Sequence, residues 1–232
     1  FEWDGQILYQ SRRRDAYEAA LDVLRQQSAL YACGCTRKEM ADSSVHGVEG
    51  PVYPGTCRAG MADGRSARAL RVRTDNAVID FEDRVQGRQC AQLEREIGDF
   101  VVRRADGFHA YQLAVVVDDA EQGITEIVRG ADLLTSTPRQ IYLQRLLGLP
   151  PPGYLHLPAA LNVQGEKLSK QTFAKPLARA KPVVVLRQAL DFLGQGPLPD
   201  AGESSLASFW AAAMATWDEK RIPHLRTLRC ID

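Results

Sequence analysis

The sequence predicts a mixed α/β fold, and three observations predict it. Short segments such as ALRVRT (69–74) and VIDFED (78–83) alternate apolar and polar residues with a period of two, as half-buried strands do. A longer segment, QSRRRDAYEAALDVLRQQS (10–28), carries Tyr17, Ala20, Leu21 and Leu24 at helical spacing. The two kinds of segment alternate along the chain, which is the pattern of a sheet covered by helices.

Taken in order, Ser11 is the expected N-cap of the first helix, and ALYAC (29–33) is a short strand. From Thr36 to Arg68 the chain is rich in Gly, Ser and Pro and has little periodicity. This is an inserted, loop-dominated segment that needs something besides a core to hold it. After the strands at 69–74 and 78–83, DFVVRRADGFHAYQLA (99–114) reads as a strand, an Ala-Asp-Gly turn and a second apolar segment. ITEIVRG (124–130) is a strand ending in Gly. TPRQIYLQRLLG (137–148) is a helix with Thr137 as N-cap, Pro138 at the first position and Gly148 as C-cap. YLHLPAALN (154–162) is a buried strand, KLSKQ (167–171) follows in a loop, and two helices are expected at 182–194 and 205–221.

Composition excludes some classes of function. The chain of 232 residues has 29 basic and 29 acidic side chains, so bulk charge advertises no nucleic-acid partner, and any such surface must be a local patch. The arginines at 58, 65, 68, 71 and 73, and the basic residues Lys220, Arg221, Arg226 and Arg229, read as solvated faces. No run approaches the roughly 18 apolar residues of a membrane span. The sequence opens on Phe1 rather than Met, from which an upstream part of the protein is expected outside this sequence.

Three of the five cysteines, Cys33, Cys35 and Cys57, fall in the pattern C-x-C-x17-Y-x3-C, while Cys90 and Cys230 stand alone. This usage reads as a reducing, cytoplasmic setting with one metal site rather than a disulfide framework. Two thiolates one residue apart, and a third returning from a distant segment, supply three of the four ligands of a structural zinc. His46 and Tyr53 both stand where a fourth would come from. The competing reading is three buried cysteines without a metal, which the scarcity of apolar residues in the surrounding loop opposes.

In KLSKQ, Lys167 and Lys170 present two ammonium groups suited to a polyphosphate, with Ser169 and the backbone N–H groups to orient it. Alone, the same letters describe a solvated loop. Asp118 and Asp119 tempt as a metal-binding or acid/base pair but read better as one helix-terminal or partnering carboxylate and one solvated, and His109 and His156 as packing or hydrogen-bonding residues.

The block YQLAVVVDDAEQGITEIVRGADLLTSTPRQIYLQRLLG (111–148), followed by the Lys-Leu-Ser-Lys loop, resembles the catalytic core of the glutamyl-tRNA synthetases, within the class I aminoacyl-tRNA synthetases. YQSRR (9–13) and GDFVVRRADG (98–107) fit the same pattern, and the resemblance covers roughly residues 1–175. Within that family the chain looks most like the truncated paralogues, the glutamyl-Q tRNA(Asp) synthetases. The loop ends in Gln171 where the full synthetase usually has Arg, a Tyr precedes the last Cys of the metal pattern, and the stretch 176–232 is too short for an anticodon-binding domain.

The resemblance implies a Rossmann-type nucleotide-binding domain (1–32 and 69–165) whose N-terminal part is missing from this chain. It adds a zinc-bearing insertion (33–68), and the signature loop with a helical C-terminal extension (166–232). It implies ATP-dependent activation of L-glutamate without tRNA, with ATP as a substrate accompanied by magnesium. Transfer to the queuosine base at the wobble position of tRNA(Asp) follows. Tyr111 and Arg129 match the glutamate-binding positions, Lys167, Ser169 and Lys170 the ATP phosphates, with Lys170 as the catalytic lysine. Tyr53 is selected over His46 as the fourth zinc ligand beside Cys33, Cys35 and Cys57. Two other readings stand beside this one: a shortened glutamyl-tRNA synthetase charging the tRNA 3′ end, and a non-catalytic zinc-bearing RNA-binding module.

Overall fold

The computed structural model describes residues 2–41, 46–47, 50–169, 172, 174, 176, 181–198 and 205–230. They divide into two compact units, the first formed by 1–81, 89–125 and 135–153 and the second by 82–88, 126–134 and 154–232.

The first unit begins with helix α1 (Arg14–Gln26), whose buried face is Tyr17, Ala20, Leu21 and Leu24, the stripe expected from the sequence. Ser11 is not its cap. Gln10–Arg12 form a single 3-10 turn, and the helix starts behind Arg13 with no side-chain cap. Strand β1 (Leu30–Cys33) leads into the insertion, which holds the short helix α2 (Arg37–Ala41) and the two-residue strands β2 (His46–Gly47) and β3 (Gly50–Pro51). Strands β4 (Ala69–Val72), β5 (Val78–Asp83) and β6 (Gly87–Gln92) follow, then the single-turn helix α3 (Leu93–Glu96) and β7 (Phe100–Arg103). The order β1-β4-β7 makes an antiparallel sheet in which Leu30 pairs with Val72 and Cys33 with Ala69.

The second apolar segment after the Ala-Asp-Gly turn is a helix, α4 (Tyr111–Glu121), and α5 (Thr137–Leu147) completes the unit. Thr137 is the first residue of α5 rather than its cap, and Gly148 ends it in the left-handed conformation, φ 66°, which costs a glycine little. Leu21 and Leu24 of α1, Leu113 and Val116 of α4, Leu143 of α5, and Val72 and Val102 of the sheet form one core. Each fully buried aliphatic side chain stabilises by about 2 kcal/mol.

A polar cluster lies against that core. The Asp118 carboxylate accepts hydrogen bonds from Arg13 Nε at 2.6 Å, Gln10 Nε2 at 2.9 Å and Tyr17 Oη at 2.9 Å. Burial, then the bond to Asp118, push the Tyr17 phenol up to about 12. Arg13 also grips Glu121 on the exposed side of α4. Asp118 is thus the structural carboxylate of the Asp118–Asp119 pair, and it ties the start of α1 to α4.

The second unit contains the tip of the β5–β6 hairpin, β8 (Glu126–Gly130), β9 (Gly153–Leu157), β10 (Ala159–Leu161), helices α6 (Pro182–Phe192) and α7 (Leu206–Thr216), and β11 (Thr227–Arg229). The strand order β6-β5-β9-β8 includes a parallel pairing of Asp83 with Tyr154. The single strand expected at 154–162 is two, broken at Pro158, which has no N–H to extend a ladder. After the break β10 joins β11 in parallel. Leu190, Leu198, Phe209 and Ala213 form a small core between α6 and α7. Among the described residues no helix is long and apolar enough to cross a membrane.

Replacing Asp118 with Ala removes the buried acceptor shared by the partly buried Arg13 and the buried Tyr17, and a loss of about 3 kcal/mol is expected, as for breaking a buried ion pair. Urea unfolding followed by circular dichroism will show the midpoint fall, and Glu121→Ala, on the exposed side, should leave it nearly unchanged.

Candidate active site and metal-binding cluster

Tyr111 is the first residue of α4 and is 48% exposed. The helix start that carries it is fastened by neighbours: Gln112 Nε2 donates to Ser136 Oγ at 3.0 Å, and Gln140 Nε2 donates to Gln112 Oε1 at 2.9 Å.

Arg129 lies one residue before the end of β8, in the second unit. Its Nε donates to His156 Nε2 at 3.0 Å, and its guanidinium carbon stands 5.9 Å from the Tyr154 ring centre. His156 on β9 is fully buried, and its Nδ1 lies 2.6 Å from Asp83 Oδ2. The other Asp83 oxygen accepts three backbone N–H bonds, from Val85, Gln86 and His156, at 3.1, 2.8 and 3.1 Å. Burial drives the Asp83 carboxyl up, but the bonds from His156 and the backbone outweigh it and hold it below its ordinary value.

The loop after β10 closes on a turn in which Gly165, φ 84°, donates its N–H to Asn162 O at 3.0 Å. Lys167 Nζ forms an ion pair with Asp132, just past the end of β8, so one side chain links this loop to the strand end that carries Arg129. Ser169 N donates to Thr172 Oγ1 at 3.0 Å, and Thr172 Oγ1 donates to Lys167 O at 2.7 Å. Lys170 and Gln171 lie outside the described residues. Sequence reasoning passed over Asp83 and Asp132 and placed His156 only among hydrogen-bonding residues. Asp83 and His156 are 73 positions apart, with no local pattern connecting them.

At the end of β1, in the first unit, the Cys33, Cys35 and Cys57 sulfurs lie within 4.8 Å of one another. Cys35 Sγ and Cys57 Sγ are 3.6 Å apart, and Tyr53 Oη is 3.4 Å from Cys33 Sγ and 3.6 Å from Cys35 Sγ. A tetrahedral metal with bonds of about 2.3 Å to sulfur sets its ligands about 3.8 Å apart, so the cluster has the size of a coordination shell. His46 sits exposed on β2, outside this group. Burial raises the Cys33 thiol, but hydrogen bonding with Tyr53 and Arg71 wins and brings it down to about 7.

The arginines of this region divide: Arg65 and Arg68 are exposed, as expected, whereas Arg58 and Arg71 do not belong to a solvated face. Arg71 is buried, with its guanidinium carbon 3.9 Å from the Tyr53 ring centre and its Nη1 donating to Asp99 O. Arg58 reaches the buried Asp99 carboxylate through Nε at 2.8 Å and Nη2 at 2.6 Å, and Tyr31 Oη donates to the same group at 2.6 Å. Gly98 allows the close approach of the loop: a Cβ there would stand 2.7 Å from Val52 Cγ1.

The family model for tRNA synthetases class I (E and Q), catalytic domain, matches residues 1–181. A protein of Chromobacterium violaceum named glutamyl-Q tRNA(Asp) synthetase is 54% identical over 223 residues, covering 96% of this chain and 74% of its own length. A protein of Dechloromonas aromatica with the same name is 55% identical over 225 residues, covering 96% and 75%. The chain belongs to the glutamyl-Q tRNA(Asp) synthetase family. Its fold is the class I synthetase catalytic domain, a mixed α/β structure with a Rossmann-like sheet. A solved glutamate tRNA ligase from Elizabethkingia meningosepticum superposes with a TM-score of 0.71 at 19% identity, covering 98% of this chain and 52% of that one. In this member of the family, Arg129, Lys167 and Ser169 share one unit and Tyr111 belongs to the other.

The paired state of Asp99 has a consequence in acid. Burial pushes its carboxyl up, yet Arg58, Tyr31 and Thr74 outweigh burial and hold it below the ordinary carboxylate value. Its folded pKa is therefore depressed. The stability it contributes is complete above the unfolded value of about 3.9 and is lost as pH falls below it. Asp99→Asn should flatten the stability profile between pH 5 and pH 2, as measured by urea midpoints at each pH.

Proposed function

We propose that this protein activates L-glutamate with ATP and transfers it to the queuosine base at the wobble position of tRNA(Asp). The observation that carries this reading is identity of 54–55% across 96% of the chain with relatives that bear the name of that activity. Arg129 pairs its guanidinium with a substrate carboxylate, and the Tyr111 hydroxyl orients a polar group of the amino acid. Lys167, Ser169 and Lys170 hold the ATP phosphates, and for Lys167 this means exchanging the Asp132 carboxylate for a phosphate.

In the first step a glutamate carboxylate oxygen attacks the α-phosphorus of magnesium-bound ATP. The bond to the bridging oxygen breaks and pyrophosphate leaves, giving the mixed anhydride. In the second, a hydroxyl of the queuosine ring attacks the activated carbonyl, an ester forms, AMP leaves, and the hydroxyl proton passes to solvent or to AMP. The first step needs no general base, because the attacking group is already an anion. Lys170, as the catalytic lysine, stabilises charge that builds on the phosphates.

Cys33, Cys35, Cys57 and Tyr53 would hold a structural zinc that ties the end of β1 to the insertion. Three thiols without a carboxylate among them suit this ion, and the Arg71 guanidinium over the Tyr53 ring offsets the negative charge of the set. The domain limits 33–68 for the insertion and 166–232 for the loop and helical extension belong to the same reading.

The purified protein is expected to catalyse glutamate-dependent ATP–pyrophosphate exchange without tRNA, and Arg129→Ala to raise the glutamate KM about a hundredfold, or ~3 kcal/mol. Labelled glutamate should then reach tRNA(Asp) whose 3′ end is blocked, and should not reach tRNA lacking queuosine. Labelling only at a free 3′ end would favour the shortened glutamyl-tRNA synthetase; binding without exchange would favour the RNA-binding module. Elemental analysis should find one zinc per chain, with clear loss in Cys35→Ser; unchanged zinc in that variant would remove Cys35 from the ligand set.

A further inference from the structure

We infer that Asp83 and His156 are positioning residues, which set the plane of the Arg129 guanidinium by fixing the His156 imidazole as a neutral ring with its proton on Nδ1. The inference rests on the assignment of Arg129 to the glutamate carboxylate. Its geometry stands without that assignment.

A guanidinium can only donate hydrogen bonds. Arg129 Nε lies 3.0 Å from His156 Nε2, so that ring nitrogen supplies the lone pair and carries no proton. The one remaining ring proton is then on Nδ1, which lies 2.6 Å from Asp83 Oδ2 and donates to it. Asp83 must therefore accept at Oδ2, and at Oδ1 it accepts three backbone N–H bonds from Val85, Gln86 and His156. An ionised carboxylate meets all of these demands, since it is an acceptor at every lone pair. Donor and acceptor alternate along the chain from Asp83 through His156 to Arg129, and reversing one member reverses the next.

The chain is also rigid. His156 and Asp83 have side-chain exposures of 0%, and Gln86 Nε2 holds His156 O at 2.9 Å. The Tyr154 ring lies nearly parallel to the imidazole, 13° between planes at 6.2 Å, and takes the Arg129 guanidinium at 5.9 Å. A guanidinium fixed at Nε on one side and against a ring on another has little freedom to turn. That is what a substrate carboxylate requires of a planar, two-pronged donor.

Asp83→Asn tests the polarity without emptying the site. The amide oxygen still accepts the backbone bonds, but the amide nitrogen now donates toward His156 Nδ1. The ring proton must move to Nε2, where it faces the Arg129 N–H, donor against donor. In pyrophosphate exchange, Asp83→Asn is expected to raise the glutamate KM tenfold or more and leave the ATP KM within twofold. His156→Gln keeps the polarity, its oxygen accepting from Arg129 and its nitrogen donating to Asp83, and should stay within about threefold of wild type. His156→Leu should resemble Asp83→Asn.

A glutamate KM unchanged in Asp83→Asn, glutamate and ATP KM values raised alike, or His156→Gln as defective as His156→Leu would each overturn the inference. Should Asp83→Asn not fold, the His156→Gln and His156→Leu pair decides by itself. Nitrogen-15 shifts of the His156 ring give a readout apart from activity: a neutral ring protonated at Nδ1 supports the chain, and a cationic ring or one protonated at Nε2 defeats it. Absence of glutamate-dependent exchange in the wild type would remove the substrate assignment, and the ring shifts would still decide the chain.

Discussion

A carboxylate taken out of water must be surrounded by donors, and three such carboxylates organise this molecule. Asp83, Asp99 and Asp118 are each under 6% exposed. Leaving any of them unpaired costs several kcal/mol, comparable with a sizeable share of the net stability of a domain. Each therefore dictates the placement of arginine, tyrosine, histidine or backbone donors around it. Asp118 brings Arg13, the residue before the first helix, and Tyr17 within it to the helix that begins at Tyr111. Asp99 brings Arg58 and Tyr31 to the base of the cysteine cluster. Asp83 brings His156, and through it Arg129. Desolvation supplies the constraint, and the groups proposed for function are held one step beyond the carboxylate.

The same arrangement explains how Cys33, Tyr53 and Cys57 are placed although the sequence around them has little periodicity. Cys33 closes a strand whose partner is set by the register of Leu30 with Val72, so its sulfur is placed by the sheet. Tyr53 is placed by the approach of its loop to Gly98 and by the Arg71 guanidinium on its ring. Arg71 belongs to β4 and Asp99 directly precedes β7, so the loop is anchored to rigid elements on both sides. The three sulfurs and the Tyr53 hydroxyl thereby stand near the spacing that a coordination shell would need.

Legibility in the sequence followed the range of the interactions. The strands at 69–72 and 78–83 and the helices at 14–26 and 137–147 were read correctly because period and composition are local. Their starts were less legible. Ser11 and Thr137 look like caps, yet the first turn of α1 is governed by Arg13 reaching Asp118, 105 residues away. The strand expected at 154–162 carried its own warning in Pro158. The cysteine pattern announced its cluster because three thiols close in the sequence leave a trace in the spacing. The arginines nearby looked solvated because nothing local tells Arg71 or Arg58 that a buried Asp99 awaits them. Asp83 and His156 left no trace for the same reason: a hydrogen bond between distant strands has no period.

The proposed reaction also bears on where catalytic power would come from. A general base needs a lone pair free to receive a proton. His156 spends one ring nitrogen on Asp83 and the other on Arg129, and His109 is engaged with Glu18 and packed against the Tyr17 ring. The buried carboxylates are saturated by donors. In the proposed reading that power is fixed positive charge, in Arg129 near the end of a strand and Lys167 in the adjoining loop, set opposite substrates that arrive as anions. For a reaction whose nucleophile is already ionised, rate is gained by holding opposite charges in place before the bond forms, because water then has nothing left to reorganise. A guanidinium locked at Nε meets that requirement better than a free one, and the buried aspartate behind it is the source of the lock.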